Sequence, residues 1–437
     1  MTVMKFGGTS VGSASRIKNV ASLVKSRGRN LIVLSAMSGT TNTLVKISDH
    51  YYNGDSAGAL ETIDDLDQKY VDTIEELFDN EAYKKIARES IEESFSFLRN
   101  KKDVSFTAKD EREVLSRGEL MSTALMTLYL QEQGISVELL QALDFMRTDS
   151  NGEPNIDFLR VHLMELMRRH DDADLFITQG FICRNADGEI DNLQRGGSDY
   201  TASLIGAAIG ADEIEIWTDI DGMHNNDPRY VEGTSPVNQL HFEEAAELAY
   251  FGAKILHPTC VLPAKLNNIP VRLLNTMCPE AEGTLIFNAS PTHTIKAVAA
   301  KDNITAIKIK SGRMLLAYGF LRKVFEIFET YRTPIDMIVT SEVGVSVTID
   351  SEQNLDAIVA DLKRFGTVTV DRDMVIICVV GDLEWQNRGF EANVVNALKD
   401  IPVRMISYGG SNYNISLLVR KFDKIKALNL LSHSLFN

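Results

Sequence analysis

Lys5-Phe6-Gly7-Gly8-Thr9-Ser10-Val11-Gly12 begins four residues from the start of the chain. Val3 and Met4 lead into it as a short apolar strand. Gly7 and Gly8 then leave bare backbone N–H groups, Thr9 and Ser10 add hydroxyls, and a helical pattern follows. Backbone donors at a helix N-terminus favour an anion, so the turn suits phosphate oxygens, with Lys5 as a point charge beside them. No G-x-x-x-x-G-K-[ST] occurs, so this is not a P-loop. A Gly-Gly pair alone would be an ordinary strand–turn–helix connection. The full octet carries more.

Outward from the octet, Ile17, Val20, Ala21 and Val24 share one helical face, and Gly28 is a stop signal. Leu31–Leu34 reads as a buried parallel strand. A second small-residue loop, Ser35–Asn42, precedes another helix. Strand, glycine-rich loop and helix thus recur twice, which predicts a layered α/β fold. Residues 56–102 are rich in Glu, Asp, Lys and Leu at helical spacing. They predict a helical subdomain (about 50–110) whose Asp64, Asp65 and Asp67 are solvated. Residues 137–140 and 174–178 read as further core strands. From about 290 the pattern becomes β-α-β-β-α-β. Strands 304–309, 335–340, 344–350 and 368–370 alternate with helices 320–331 and 354–364. A similar series follows: strands 374–380, 403–408 and 414–419 with helices 389–397 and 421–432. Such tandem ferredoxin-like units suit a regulatory or dimerisation module.

The 437 residues predict two to four domains, and 44% hydrophobic content with a mean hydropathy of −0.09 fits a soluble protein with a sizeable core. No apolar run approaches the roughly 18 residues that span a bilayer. Lys5 leaves no room for a secretory segment, so a cytoplasmic location is expected. A formal charge of −16 with no basic tract speaks against nucleic acid. Cys183, Cys260, Cys278 and Cys378 form no C-x-x-C, which fits a reducing compartment without a zinc site.

Four further stretches carry chemistry. In Leu193–Ala202, Gly196 and Gly197 offer N–H groups, Arg195 can grip a carboxylate, and Asp199 opens an apolar helix. Trp217–Met223 with Asn226-Asp227-Pro228-Arg229 reads as a strand end and a polar loop. Ala249–Pro258 places Lys254 beside Gly252, with His257 structural. Ser116–Ser122 sets Glu119 at the head of an apolar helix. Each stretch alone would pass as a cap, a turn or a helix end.

Together, in this order and spacing, KFGGTSVG, SRGELMS, QRGGSDYTA, WTDIDGM…NNDPR and YFGAKILHP resemble the aspartokinases over nearly the whole chain. LLAYGFLRKVFEIF…IDMIVTSEVGVSVTID resembles the effector-binding unit of the lysine-sensitive, monofunctional class. The resemblance implies a three-layer amino-acid-kinase fold with a mainly parallel sheet (1–290). Two C-terminal ferredoxin-like (ACT) units would follow (300–437), with 312–370 inserted and 300–311 joining 371–437. It implies ATP-dependent phosphorylation of the L-aspartate β-carboxylate, with Mg²⁺, feedback by L-lysine, and a homodimer or tetramer built through the ACT units. No membrane or nucleic-acid partner is implied.

By matching residues, Lys5, Gly7, Gly8 and Asp199 would act on the phosphoryl group. Thr41, Glu119, Arg195, Gly196, Gly197 and Ser198 would hold aspartate. ATP would meet Lys5, Gly7, Gly8, Thr9, Thr218, Asp219, His224, Arg229, Lys254 and Ile255. No direct protein ligand for a metal is assigned; Asp199 would orient Lys5 or reach Mg²⁺ through water. Lysine would sit near Met314, Ala317, Phe320, Leu321, Asp336, Ser341, Glu342 and Val343. Three positions depart from the family pattern: Gln194 replaces a glycine, His224 a tyrosine and Asn225 a threonine. Kinases of glutamate, acetylglutamate or nucleoside monophosphates are the alternative enzymes, and an inactive amino-acid sensor is the non-enzymatic one.

Overall fold

The computed structural model describes residues 1–103, 105–193, 196–252, 258–289, 294–312 and 318–436. They divide into two compact units, Met1–Met223 with Ile255–Asn288, and His224–Lys254 with Ala289–Asn437. A single boundary near 290 therefore does not describe the packing. Within the second unit, Val298 N–H donates to Asn225 C=O (2.8 Å) and Asn226 Nδ2 to Leu428 C=O (3.1 Å). Val231 joins the same apolar core as Val375 and Ile377.

The first unit is built on a sheet of β1 (Thr2–Phe6), β2 (Asn30–Leu34), β3 (Val137–Leu140), β4 (Leu175–Gln179), β5 (Glu213–Thr218), β6 (Val271–Asn275) and β7 (Thr284–Phe287). Their order is β3-β4-β2-β1-β5-β6-β7, parallel except for β7. All five residues of β2 and all five of β4 are buried, as expected of strands covered on both faces.

Helices cover the sheet because their apolar spacing matches their turn. Helix α1 (Ala14–Lys25) buries Ile17, Val20, Ala21 and Val24, and Ser13 caps its start by accepting from Arg16 N–H. It is joined by α2 (Thr40–Tyr52), α3 (Ser56–Leu77), α4 (Glu81–Arg99) and α5 (Ala108–Glu132), which close one core over Met4, Phe6, Ile32 and Leu34. Side chains alternate along a strand, so Lys5 faces the opposite side. There α6 (Ile156–Arg169) and α7 (Gly197–Ile209) pack together, and α7 lies against β1. Arg99 pairs with Asp64 (3.0 Å) and Asp67 (2.6 Å), so those acids belong to the surface of the helical subdomain.

The second unit carries one antiparallel sheet. Its strands are β8 (Ile295–Lys310), β9 (Ile338–Ser341), β10 (Gly344–Ile349), β11 (Thr367–Gly381), β12 (Met405–Tyr408) and β13 (Asn414–Arg420). The order is β9-β10-β8-β11-β13-β12. Helices α8 (Phe320–Thr330) and α9 (Leu355–Leu362) pack on one apolar cluster, while α10 (Phe390–Ala397) and α11 (Lys424–Phe436) pack on another.

The expected pairing needs correction here. Of residues 300–311, Ala300, Lys301, Ile304 and Ala306 do pair with the 371–437 half, but Ile307–Lys310 pair with Thr367–Val370, and Thr305–Lys310 pair with β10 on the other side. Residues 295–301 are the ones paired to 376–381. Strands 368–370 and 374–380 are likewise one strand, β11. The polar run Asp371-Arg372-Asp373 masks its continuity in the sequence. The chain passes through a register shift near Ile304, with Asn303 at φ +60° and Asp373 at φ +55°.

Candidate active site

The carboxyl ends of parallel strands are where an α/β sheet leaves room for a ligand. Here β1, β2 and β4 end around a cleft of about 410 Å³. Gly8 and Thr9 follow β1, Ser35–Gly39 and Thr41 follow β2, and Phe181 follows β4. Glu119 enters from α5, and Gly197 and Ser198 from the start of α7.

Lys5 is buried in the central strand, and its Nζ lies 2.6 Å from Asp199 Oδ1. The same ammonium is 3.6 Å from where a Cβ on Gly7 would stand, so it sits under the glycine turn. A Cβ on Gly8 would lie 2.7 Å from the Ala36 carbonyl oxygen, so only glycine lets the two loops meet. Gly8 C=O accepts from Ser38 N–H at 3.0 Å, and Arg16 Nη1 holds the Thr9 carbonyl at 2.6 Å. Gly196 and Gly197 turn into α7 at φ +71° and +48°. Ser198 Oγ accepts from Ser35 Oγ at 2.9 Å.

Glu119 is 4% exposed; its Oε1 accepts from Ala36 N–H at 3.1 Å, while Oε2 has no partner in the structure. Burial pushes its carboxyl up to about 8, against the opposing pull of the Ala36 N–H and the Lys5 charge. A buried acid that lines a cleft and keeps one oxygen unpartnered can receive a cationic or hydrogen-bond-donating group.

Two features escaped the sequence reading. Phe181 lines the cleft at φ +66°, held by Thr201 Oγ1 on its N–H (3.0 Å) and Leu193 N–H on its carbonyl (2.7 Å). A phenylalanine in the left-handed region carries strain that the surrounding bonds must maintain. Gly180 before it has no room for a Cβ, which would stand 2.3 Å from the Ser198 Cβ. Nothing in the local sequence signals either constraint.

The profile of the Amino acid kinase family matches residues 1–275, and that of the ACT domain matches 377–435. Aspartokinase 1, chloroplastic, of Arabidopsis thaliana is 34% identical over 457 residues, covering 99% of this chain and 80% of that protein. Lysine-sensitive aspartokinase 3 of Escherichia coli (strain K12) is 32% identical over 453 residues, covering 100% and 99%. The chain belongs to the aspartokinase family. Its structure resembles E. coli aspartokinase III in complex with aspartate and ADP, described as the R-state (TM-score 0.83, 32% identity, all of both chains). It also resembles that enzyme in complex with lysine and aspartate, described as the T-state (TM-score 0.82, 34% identity, all of both chains).

Of the nucleotide residues expected for an aspartokinase, Thr218 ends β5 in the first unit, and Asp219 follows it, exposed. His224 and Arg229 belong to the second unit. His224 Nδ1 shares a hydrogen with Thr234 Oγ1 (3.0 Å), and Arg229 makes a forked pair with Asp227 (Nη2–Oδ2 2.6 Å). Arg195, Lys254, Ile255, Met314 and Ala317 lie outside the described residues, as does Gln194. Among the described residues, no three His, Cys, Asp or Glu side chains gather as a metal site. No helix among them is long and apolar enough to cross a membrane.

The expected effector residues do not form one exposed group. Phe320 is a core residue, packed with Val324 and Val345. Leu321 is exposed on α8, and Ser341, Glu342 and Val343 are exposed at the end of the edge strand β9. Asp336 is already engaged: its Oδ1 accepts from Lys301 Nζ and from Tyr250 Oη, both at 2.6 Å. Lys301 also reaches Asp350 at 3.0 Å. Burial lowers the Lys301 pKa, but Asp336 and Asp350 outweigh it and hold the ammonium above its usual value. Burial, then Asp336, pushes Tyr250 up to about 12.

Proposed function

We propose that this chain transfers the γ-phosphoryl group of ATP to the β-carboxylate of L-aspartate, giving 4-phospho-L-aspartate. This would open the synthesis of lysine, threonine and methionine in the cytoplasm. The observation that carries the reading is the pair Lys5–Asp199 at the strand ends, beside a cleft that holds a buried carboxyl with a free oxygen.

A carboxylate is already ionised near pH 7, so its oxygen attacks phosphorus without a general base. Catalysis is then positioning and neutralisation of charge. Lys5 and the N–H groups of Gly7 and Gly8 stabilise the transferring group, and Asp199 orients the ammonium. Glu119 receives the α-amino group through Oε2. Thr41, Ser198, Gly196 and Gly197 frame the substrate, and Arg195 grips a carboxylate. Thr9, Thr218, Asp219, His224, Arg229, Lys254 and Ile255 serve the nucleotide, for which Arg229 would have to share its bond to Asp227. Mg²⁺ would enter on the nucleotide phosphates and neutralise them; Asp199 is the nearby acid able to reach it through water.

Lysine as effector belongs to the same proposal, supported by the lysine-sensitive E. coli relative and by the acids Asp336 and Glu342. We place a homo-oligomeric contact on the edge strands of the second unit, where Ile338 and Ile406 are exposed.

Hydroxylamine traps acyl phosphates, so aspartyl hydroxamate should form only when ATP and aspartate are both present. Its absence, with folded protein, would reject the reading. A second expectation follows from Glu119. The empty site holds a proton up to about pH 8, while a bound ammonium favours the carboxylate. Aspartate affinity should therefore rise from pH 6 toward 8, with proton release on binding, and Glu119→Gln should flatten the profile. Folding runs the other way: this group's contribution to stability declines as pH rises from the ordinary carboxyl range through about 8. Calorimetry in buffers of different ionisation enthalpy measures the released proton; no release in the wild type would remove this role.

A further inference from the structure

The helical subdomain reads in sequence as a solvated acidic face, yet one of its cations bonds a residue that lines the cleft. Lys69, on α3, places Nζ 2.6 Å from the carbonyl oxygen of Ser38. The same ammonium is 3.9 Å from where a side chain on Gly39 would begin. Ser38 and Gly39 both line the cleft. No carboxylate among the described residues lies within ion-pair reach of Lys69, and burial alone lowers its pKa.

Local electrostatics does not account for this placement. Gly39 is the N-cap of α2, without a side-chain cap, and a helix N-terminus disfavours a cation. A half-buried ammonium normally finds a carboxylate. Lys69 has one carbonyl, at the end of a helix that repels it. An anion in the cleft would offset both costs.

Ser38 also ties this group to the phosphate side of the cleft. Its N–H donates to Gly8 C=O (3.0 Å), while its C=O accepts from Lys69. The peptide between Met37 and Gly39 is thus held from both sides, by the glycine turn and by α3.

We infer that Lys69 is a specificity-determining residue: it fixes the Ser38 loop and sets a positive charge at the cleft wall that favours an amino acid with a second carboxylate. This rests on the reading of the cleft as the acidic amino-acid site. It assigns part of substrate selection to the helical subdomain rather than to the glycine loops alone.

Calorimetry of aspartate binding, without turnover, separates the possibilities. Lys69→Met keeps the aliphatic stem and removes charge and donor. It should weaken aspartate binding by about tenfold, the scale of one charge-assisted contact. ATP affinity and the melting midpoint should stay near wild type. Lys69→Arg should restore most of the aspartate affinity. Unchanged aspartate affinity in Lys69→Met would overturn the inference. So would a parallel fall in aspartate affinity, ATP affinity and melting midpoint, which marks a purely structural role. Wild-type protein that binds ATP but no aspartate would instead remove the reading on which the inference rests.

Discussion

Replacing Lys5 with alanine should lower the rate of aspartate-dependent ADP release by about a thousandfold or more, while the protein stays folded. The ammonium is the positive side-chain charge fixed at the end of β1 under the glycine turn, held there by Asp199 at 2.6 Å. Preorganised charge at a transferring phosphoryl group is worth several kcal/mol, because no reorganisation is needed as charge develops. The fold should survive. β1 is hydrogen-bonded to β2 and β5 on both sides, and Met4 and Phe6 face a different core from Lys5. The side chain of Asp199 is 18% exposed, so after the change water can reach it at modest cost. Circular dichroism and a melting curve check the fold, and steady-state ADP release checks the rate. The Lys5→Ala/Asp199→Ala double variant should regain any lost stability without regaining activity. An active single variant would remove Lys5 from the mechanism.

Asp336→Ala should raise the lysine concentration needed for half-inhibition at least about tenfold, the scale of losing one buried charge-assisted contact. Its side chain is 1% exposed, and Oδ2 has no partner. An incoming ammonium can take that free oxygen or displace Lys301 from Oδ1. The same change should cost stability, on the order of 2–3 kcal/mol, because it strands the half-buried Lys301. Asp350, 41% exposed on its side chain, compensates little. Tyr250 also loses its acceptor, and it lies in the motif that carries Lys254. Asp336→Asn keeps the shape and both contacts while removing the charge, so it should fold better yet still lose sensitivity. Inhibition curves that overlay wild type for both variants would place the effector elsewhere.

Much of the first unit was legible because its chemistry repeats locally. Gly7-Gly8 and Gly196-Gly197 mark loops, and Leu31–Leu34 marks a strand buried on both faces. The helical faces of Ile17, Val20, Ala21 and Val24 match what the structure buries. What stayed hidden depends on distant groups. Phe181 at φ +66° is set by Thr201 and Leu193, and Lys69 reaches a carbonyl 31 residues away in sequence. In the second unit, helix and strand positions follow periodicity, but pairing does not. Asp371-Arg372-Asp373 looks like a break and is instead the irregular middle of one strand. Asp336 illustrates the same limit. Its charge is visible in sequence, whereas its engagement by Lys301 and Tyr250 exists only once β8 and the helix Phe242–Tyr250 are in place.

On the proposed function, the β-carboxylate of aspartate accepts a phosphoryl group in the cleft built around Lys5, Asp199 and Glu119. ADP release from purified protein with Mg²⁺-ATP, comparing aspartate with glutamate, tests it most directly. Release should depend on aspartate, be far slower with glutamate, and be lost in Lys5→Ala. Equal release with both amino acids, or none with aspartate while ATP still binds, would contradict it.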